Sequence, residues 1–164
     1  EKILADAGKK KEVFLPDAVS MAKSLGAGFP IGAVWFGEEL MDALAPGSHG
    51  TTYGGTALAC AVALEVLRII EEEKLAENVA ARGEELKQRL AKLAGRGWVG
   101  EVRGFGGMVG VTVKGRPHAE VAAQLAAAGL LVVPAGSDVL RFLPPYNVTQ
   151  QEITEALRKV ESTL

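Results

Sequence analysis

The sequence predicts a compact α+β unit from about residue 56 onward, preceded by the end of a larger domain in residues 1–55. Helical periodicity runs through residues 56–93, and a pattern typical of strands begins after Gly95. Residues 1–55 hold only a strand or two between glycine-rich turns, which is too little to enclose a core.

Two short elements are predicted before residue 55. The segment "GAVWFG", residues 32–37, has the apolar and β-branched character of a strand. The segment "EELMDAL" that follows predicts a short helix, and we expect it to end at Pro46 and Gly47 because both residues interrupt helices.

Two helices are predicted in the middle of the chain. The first, residues 56–70, is almost wholly apolar, so we expect it to be buried. Residues 71–73, three glutamates, mark the joint to a second helix that has polar residues opposite one apolar face. That face consists of Leu75, Val79, Leu86, Leu90 and Leu93.

Strands are predicted in three places after Gly95. Valine recurs at every second position of residues 108–114, which is the period of a half-buried strand. Two further short strands, residues 130–133 and 139–143, flank a predicted turn at residues 134–136.

Two more helices are predicted from residues that are typical of helix starts and helix ends. Pro117 suits the first turn of a helix and Gly129 suits its end. Thr149 and Glu152 form a capping box that opens the last helix. Its predicted apolar face consists of Ile153, Leu157, Val160 and Leu164.

Composition and charge exclude several classes of partner. The chain has 164 residues, of which 48% are hydrophobic, and a formal net charge of -2. We therefore expect neither nucleic acid nor a membrane as a partner. The longest apolar run is interrupted by Glu65 and Arg68, which argues against a membrane span, and the charged N-terminal residues do not resemble a secretory signal.

The numbers and spacing of cysteines and histidines indicate the redox compartment and whether a metal site is expected. Cys60 is the sole cysteine, so it forms no internal disulfide and fits a reducing compartment; we expect a cytoplasmic protein. As a small residue in a helical stretch it is expected to be buried. No cysteines or histidines have the spacing of metal ligands, so no metal site is predicted.

Lys23 is the first candidate for chemistry. It lies in "SMAKSLGAGFPIGA", among small and apolar residues and directly before a glycine-rich turn. Apolar burial lowers the proton affinity of a lysine amine and makes it a nucleophile, and small neighbours would admit a flat cofactor. A lysine at a surface turn has the same spacing, so the residues alone leave both interpretations open.

The second candidate is "GSHGTTYGG", residues 47–55. The hydroxyls of Ser48, Thr51 and Thr52 could donate to a phosphate at the start of the next helix. Alternatively, these hydroxyls only cap the loop and the helix.

The third candidate is Arg141, which lies inside the apolar segment "VLRFL". A partly buried arginine requires an anionic partner, because an unpaired buried charge is costly. That partner is either a structural carboxylate or a substrate carboxylate, which the planar guanidinium matches with two parallel hydrogen bonds. We expect Arg103, in "EVRGFGGMVGV", to brace the entrance of a strand instead.

Four segments together are similar to a known family. "PDAVSMAKSLGAGFPIGAVWF", "GSHGTTYGGTALACAVALEVL", "EVRGFGGMVGV" and "LLVVPAGSDVLRFLPPYNVT" resemble, in order and spacing, the C-terminal half of class III pyridoxal-phosphate aminotransferases. The likeness is closest to acetylornithine aminotransferases. It implies the α/β plus α+β architecture of a fold-type-I enzyme, with residues 1–55 ending the large cofactor domain and residues 56–164 forming the small C-terminal domain.

The resemblance also implies roles for the candidate residues. Lys23 matches the lysine that forms a Schiff base with pyridoxal 5'-phosphate, and Thr52 matches the threonine that reaches the cofactor phosphate from the neighbouring subunit of a homodimer. Arg141 matches the arginine that binds the substrate carboxylate. The implied reaction moves an amino group between N-acetylornithine, or a related acylated diamino acid, and 2-oxoglutarate, in arginine or lysine biosynthesis.

The resemblance has limits that leave alternatives open. Residues 1–14 do not match the family's segment with the aspartate that pairs with the cofactor nitrogen. We therefore expect a fragment, inactive on its own. The same fold also serves ornithine and 4-aminobutyrate aminotransferases and aminomutases. A non-catalytic α+β association module is the alternative from another class.

Overall fold

The computed structural model describes residues 15–164. The described residues form two compact units, and the first ends at residue 68 and the second begins at residue 69. The mismatch of residues 1–14 with the family pattern lies outside the described residues.

The first unit contains a two-stranded antiparallel sheet. Strand β1 (Ala18–Met21) pairs with β2 (Ala33–Phe36), and the register places Val19 opposite Trp35. A 3₁₀ helix, Lys23–Gly26, follows β1, and a second one, Glu38–Ala43, follows β2. The strand predicted at residues 32–37 is confirmed, and the short helix predicted after it is a 3₁₀ helix.

Few side chains of the first unit are buried. Among its described residues, the buried hydrophobic ones are Leu25, Ala59 and Ala63. Large apolar side chains such as Trp35 and Met41 are exposed. The scarcity of buried side chains agrees with the expectation that these residues cannot form a core of their own.

Helix α1 (Ala57–Glu72) contains the division between the two units. Its expected burial is wrong: Leu58 and Leu64 are 63% and 68% exposed. Cys60 is exposed as well, against the sequence-based expectation. A helix that is apolar all round needs packing partners on every side, and the described residues bury only the side that carries Ala59 and Ala63. The domain boundary predicted between residues 55 and 56 stays a prediction.

The second unit packs three helices against a four-stranded antiparallel sheet. The strands are β3 (Val99–Phe105), β4 (Met108–Val113), β5 (Val133–Ala135) and β6 (Val139–Phe142), in the order β3-β4-β6-β5. The helices are α2 (Leu75–Ala91), α3 (His118–Ala127) and α4 (Gln150–Glu161).

One continuous core lies between these helices and one face of the sheet. Its members alternate along β4 and recur along the helices with the predicted spacing; fully buried examples are Leu90, Val109, Val111, Leu140 and Val160. No polar or charged residue is buried among residues 15–164. The opposite face of the sheet therefore carries the polar residues of the strands.

The capping box of the last helix is confirmed. The Thr149 hydroxyl accepts from the Glu152 backbone N–H at 3.2 Å, and the Glu152 carboxylate accepts from the Thr149 backbone N–H at 2.8 Å. Gly129 follows the end of α3 with φ +80, as the sequence predicts. Leu164 lies beyond the end of α4 and is exposed, although the apolar pattern had placed it on the helix.

Two strands differ from the prediction. Strand β3 was not predicted separately, because glycines and an irregular register between Val99 and Val102 hide its alternation. Strand β5 lies at residues 133–135 instead of 130–133 and includes Pro134, which was expected in a turn. An edge strand tolerates a proline because one side of it needs no partner. No helix of the described residues is long and apolar enough to cross a bilayer.

Candidate functional site

Lys23 opens the turn between the two strands of the first unit. The preceding residue, Ala22, is extended, and Lys23 itself has φ 54, in the left-handed region. A residue other than glycine held in that region costs about 1–3 kcal/mol, and such residues cluster at functional sites. Ala27 and Lys74 have a positive φ as well, so the backbone conformation agrees with a functional role for Lys23 without distinguishing it from these two residues.

The side chain of Lys23 is exposed within the described residues. The apolar burial expected around its amine is therefore not provided by residues 15–164. The turn after it is tightly built: Leu25 and Gly26 are buried, and a Cβ at Gly26 would lie 2.7 Å from Ile31 Cγ2. Gly28 has φ +105, and open space lies where its side chain would be. The packed residues of this turn hold the backbone next to Lys23, and open space remains at Gly28.

Thr52 lies in the loop that leads into α1, and it is exposed. The neighbouring Thr51 closes this loop, since its hydroxyl accepts from the Gly54 backbone N–H at 3.1 Å. Ser48 is also used locally, because it donates to the Ala45 carbonyl at 2.6 Å. Of the three hydroxyls considered for phosphate binding, Thr52 is the one that makes no hydrogen bond within residues 15–164.

Arg141 lies on β6, in the second unit, opposite Gly110 of β4 and Val133 of β5. Its neighbours Leu140 and Phe142 point into the core. Successive residues of a strand alternate between faces, so Arg141 lies on the face of the sheet turned away from the core. Gly110 leaves the space beside it free of a side chain.

The guanidinium of Arg141 has an unsatisfied donor. Its Nε is buried and has no hydrogen-bond partner. A buried polar atom without a partner is rare and calls for an explanation. Within the described residues no carboxylate pairs with Arg141, so the structural ion pair considered from the sequence is not present there.

Arg103 and Asn78 differ from what the sequence suggests. Arg103 lies on β3, opposite Gly110 of β4. Its side chain is exposed instead of bracing the entrance of the strand. Asn78 was not singled out, yet its side-chain amide donates to the carbonyls of Tyr146 and Val148, just beyond β6. One asparagine in the first turn of a helix forms no recognisable pattern with other residues, so no sequence signal identifies it.

The three predicted residues differ in the functional group that each presents. Lys23 offers an exposed primary amine for an aldehyde, Thr52 an exposed hydroxyl for a phosphate, and Arg141 a guanidinium for a carboxylate. Lys23 and Thr52 belong to the first unit and Arg141 to the second. Within residues 15–164, no group of three or more histidine, cysteine, aspartate or glutamate side chains could hold a metal ion.

Comparison with known families gives a match over almost the whole chain. The model of the family described as aminotransferase class-III matches residues 8–164. The acetylornithine aminotransferase of Bacillus subtilis is 42% identical over 149 residues, which are 91% of this chain and 38% of that protein. The 5-aminovalerate aminotransferase of Pseudomonas aeruginosa is 39% identical and is matched over 87% of this chain and 36% of its own length.

A solved structure agrees at the level of the backbone. The ornithine aminotransferase of Toxoplasma gondii superposes with a TM-score of 0.83 and 35% identity, over 90% of this chain and 36% of that one. Another structure of that enzyme is described as having partial occupancy of pyridoxal phosphate at the active site. The chain thus spans less than two fifths of the length of these relatives.

Proposed function

The chain belongs to the class III aminotransferases, which depend on pyridoxal phosphate, and we propose that it is the C-terminal part of an enzyme that transfers the amino group of N-acetylornithine, or of a related acylated diamino acid, to 2-oxoglutarate. Several similar relatives are acetylornithine aminotransferases, which supports this substrate class. The corresponding pathway is arginine or lysine biosynthesis.

The observation that carries the proposal is the unpartnered Nε of Arg141. All the proposed substrates carry a carboxylate: in 2-oxoglutarate it lies beside the reacting carbon, whereas in N-acetylornithine it lies at the opposite end of the side chain from the free amine. A carboxylate accepts two parallel hydrogen bonds from a guanidinium, one of them from Nε. Binding there would satisfy the buried donor that the described residues leave free, and it would hold the amino acid in a fixed orientation.

Lys23 would hold the cofactor and move protons. When bound, pyridoxal phosphate accepts the electrons released as the C–H bond beside the substrate amine breaks. The Nζ atom of Lys23, once neutral, takes that proton and delivers it again, as a general base and then a general acid. The turn after Lys23, with Leu25 and Gly26 buried, holds the backbone from which this amine extends.

Thr52 would donate its hydroxyl to the cofactor phosphate. Its exposure and its lack of a local partner in residues 15–164 support this role, because the loop itself is closed by Thr51. We propose that Thr52 acts in the neighbouring subunit of a homodimer, as its match to the family motif implies.

The role of Lys23 is tested with the full-length protein. Borohydride reduction of the cofactor-loaded enzyme, followed by peptide mapping, is expected to place the label on Lys23. The variant Lys23→Ala is expected to lose the visible absorption of the lysine-bound cofactor, whereas Lys92→Ala, at an exposed lysine, should keep it. A label on another lysine, or an unchanged spectrum of Lys23→Ala, would contradict the assignment.

A second substrate class is favoured by one comparison. The relative from P. aeruginosa, named for 5-aminovalerate, is nearly as similar to this chain as the acetylornithine enzymes. Activity with N-acetylornithine, ornithine, 4-aminobutyrate and 5-aminovalerate, each with 2-oxoglutarate, separates these substrates. An aminomutase would be recognised because its activity does not depend on the oxo acid.

Cofactor binding tests the alternative of a non-catalytic association module. The 164-residue chain alone is expected to bind pyridoxal phosphate weakly. If the full-length protein does not bind it either, the association module is favoured.

A further inference from the structure

We propose that Asn78 is a positioning residue for the carboxylate site at Arg141. The inference rests on the proposed function, because it assigns Asn78 to the site that binds the substrate carboxylate. Asn78 lies in the first turn of α2 and is half-buried. Its Nδ2 atom donates to the Tyr146 carbonyl at 2.7 Å and to the Val148 carbonyl at 3.0 Å. An amide nitrogen has two hydrogens, so both are used on one loop.

That loop directly follows the strand that carries Arg141. Strand β6 ends at Phe142, and α4 begins at Gln150. Pro144 and Pro145 have no backbone N–H, and the loop is closed locally by the Val148 N–H, which donates to the Pro145 carbonyl at 3.0 Å. The bonds from Asn78 attach this closed loop to α2.

Helix α2 is itself fixed against the sheet. A Cβ at Gly107, in the turn between β3 and β4, would lie 2.5 Å from Val79 Cγ2, next to Asn78 in the chain. Val79 is buried. Asn78 thus joins the loop after β6 to a helix whose position is set by close packing.

Arg141 depends on such support. Its Nε has no partner within residues 15–164, so no hydrogen bond from the described chain orients the guanidinium at that atom. A two-pronged pair with a carboxylate requires the guanidinium plane to be well oriented. Pairing with β4 and β5 holds the Arg141 backbone, and Asn78 holds the loop that follows this strand.

The test compares Asn78→Ala and Asn78→Asp with Thr163→Val in the full-length enzyme. Aspartate has nearly the shape of asparagine but, when ionised, has no hydrogen to donate. Thr163→Val is a matched control, because it removes two hydrogen bonds elsewhere in the same unit: the hydroxyl accepts from Trp98 Nε1 at 3.2 Å and donates to the Val160 carbonyl at 2.8 Å.

The expected result has one readout without turnover and one with it. In both Asn78 variants, hydrogen–deuterium exchange of residues 139–149 should become faster, and the dissociation constant of glutarate, used as a carboxylate probe, should rise about tenfold. The KM for the amino acid and for 2-oxoglutarate should rise by a similar factor, while kcat changes less than about twofold. Thr163→Val should leave all of these values unchanged.

Two results would overturn the inference: unchanged exchange of residues 139–149 in the Asn78 variants, or glutarate affinity and KM values equal to those of Thr163→Val. If Asn78→Ala does not fold, Asn78→Ser retains one donor and should give intermediate values. Absence of transamination by the wild-type enzyme would instead overturn the proposed function, and the exchange and glutarate measurements would still decide the role of Asn78.

Discussion

At the scale of single residues, the three candidate residues have side-chain groups that the described structure leaves without partners. The Lys23 amine and the Thr52 hydroxyl are exposed, and the buried Nε of Arg141 is unpaired. Folding alone does not favour such arrangements, since a buried unpaired donor costs about 1–3 kcal/mol. The unpaired Nε of Arg141 is therefore better explained by a ligand than by stability.

Arg141→Lys should weaken carboxylate binding although it keeps the charge. Lysine offers a point charge in place of a planar fork and cannot reproduce the bond from Nε. We expect the KM for 2-oxoglutarate in the full-length enzyme to rise about ten- to hundredfold, in line with the value of hydrogen bonds to charged groups. Arg103→Lys, at the exposed arginine of the same sheet, is the control. Equal KM values for the two variants would contradict the role of Arg141.

Glu152 gives the second unit a pH-dependent contribution to stability. Hydrogen bonds from the Thr149 backbone N–H and from the Thr149 hydroxyl lower the pKa of the Glu152 carboxyl. Because the pKa is lower in the folded state, the stabilisation is complete above the unfolded pKa of about 4.5 and is lost as the pH falls through the folded value.

Glu152→Gln should accordingly lower Tm at pH 7 and have a smaller effect at about pH 3, because the wild-type carboxyl loses this stabilisation as the pH falls through its lowered folded pKa. Glutamine still accepts hydrogen bonds but does not titrate. Thermal unfolding of both proteins at the two pH values measures this difference. A gap in Tm that stays constant with pH would rule out the titration of Glu152 as its cause.

At the scale of elements, packing decides where local preference is overruled. Gly83 lies in the middle of α2, where alanine would be the better helix former. However, a Cβ at this position would overlap the Gly106 carbonyl in the turn between β3 and β4. The glycine allows the helix to approach the backbone of that turn.

Gly83→Ala should therefore destabilise the protein. Overpacking costs about 1–3 kcal/mol, which exceeds the roughly 1 kcal/mol gained in helix propensity. Urea denaturation measures the free energy of unfolding. Gly50→Ala is the matched control, since nothing lies within 4 Å of a Cβ there, and it should change stability by less than about 0.5 kcal/mol. A gain in stability for Gly83→Ala would show that the turn can move away.

Prediction of the elements from the sequence succeeded where the signal is local. The apolar face of α2 and the capping box of α4 follow from spacings of three or four residues. Strand β3 was missed, and β5 was displaced, because their limits are set by pairing with β4 and β6. Pro134 illustrates this, since its place in a strand depends on the strand being at the edge.

At the scale of the whole molecule, the two units differ in what they bury. The continuous core, which includes Leu86, Val99 and Phe142, belongs entirely to the second unit. The described part of the first unit buries three hydrophobic side chains and exposes many more. We therefore expect the second unit to contribute most of the free energy of unfolding.

The isolated polypeptide of residues 69–164 should fold on its own and unfold cooperatively in urea. Within it, Leu90→Ala should lower the free energy of unfolding by about 2–5 kcal/mol, because Leu90 is completely buried. Leu131→Ala, at a side chain that is 85% exposed, is the control and should have little effect. A gradual, non-cooperative transition of this polypeptide would contradict the assignment of the core.

The sequence by itself determined the type of most elements, their apolar faces and the three candidate residues, because these depend on neighbours within a few positions or on short motifs. Only the tertiary structure decided that α1 is largely exposed, that Arg141 Nε is buried without a partner, and that Asn78 holds the loop after β6. Each of these depends on atoms brought together from distant parts of the chain, as with Asn78 and Tyr146, 68 residues apart. Local spacing contains no information about such contacts.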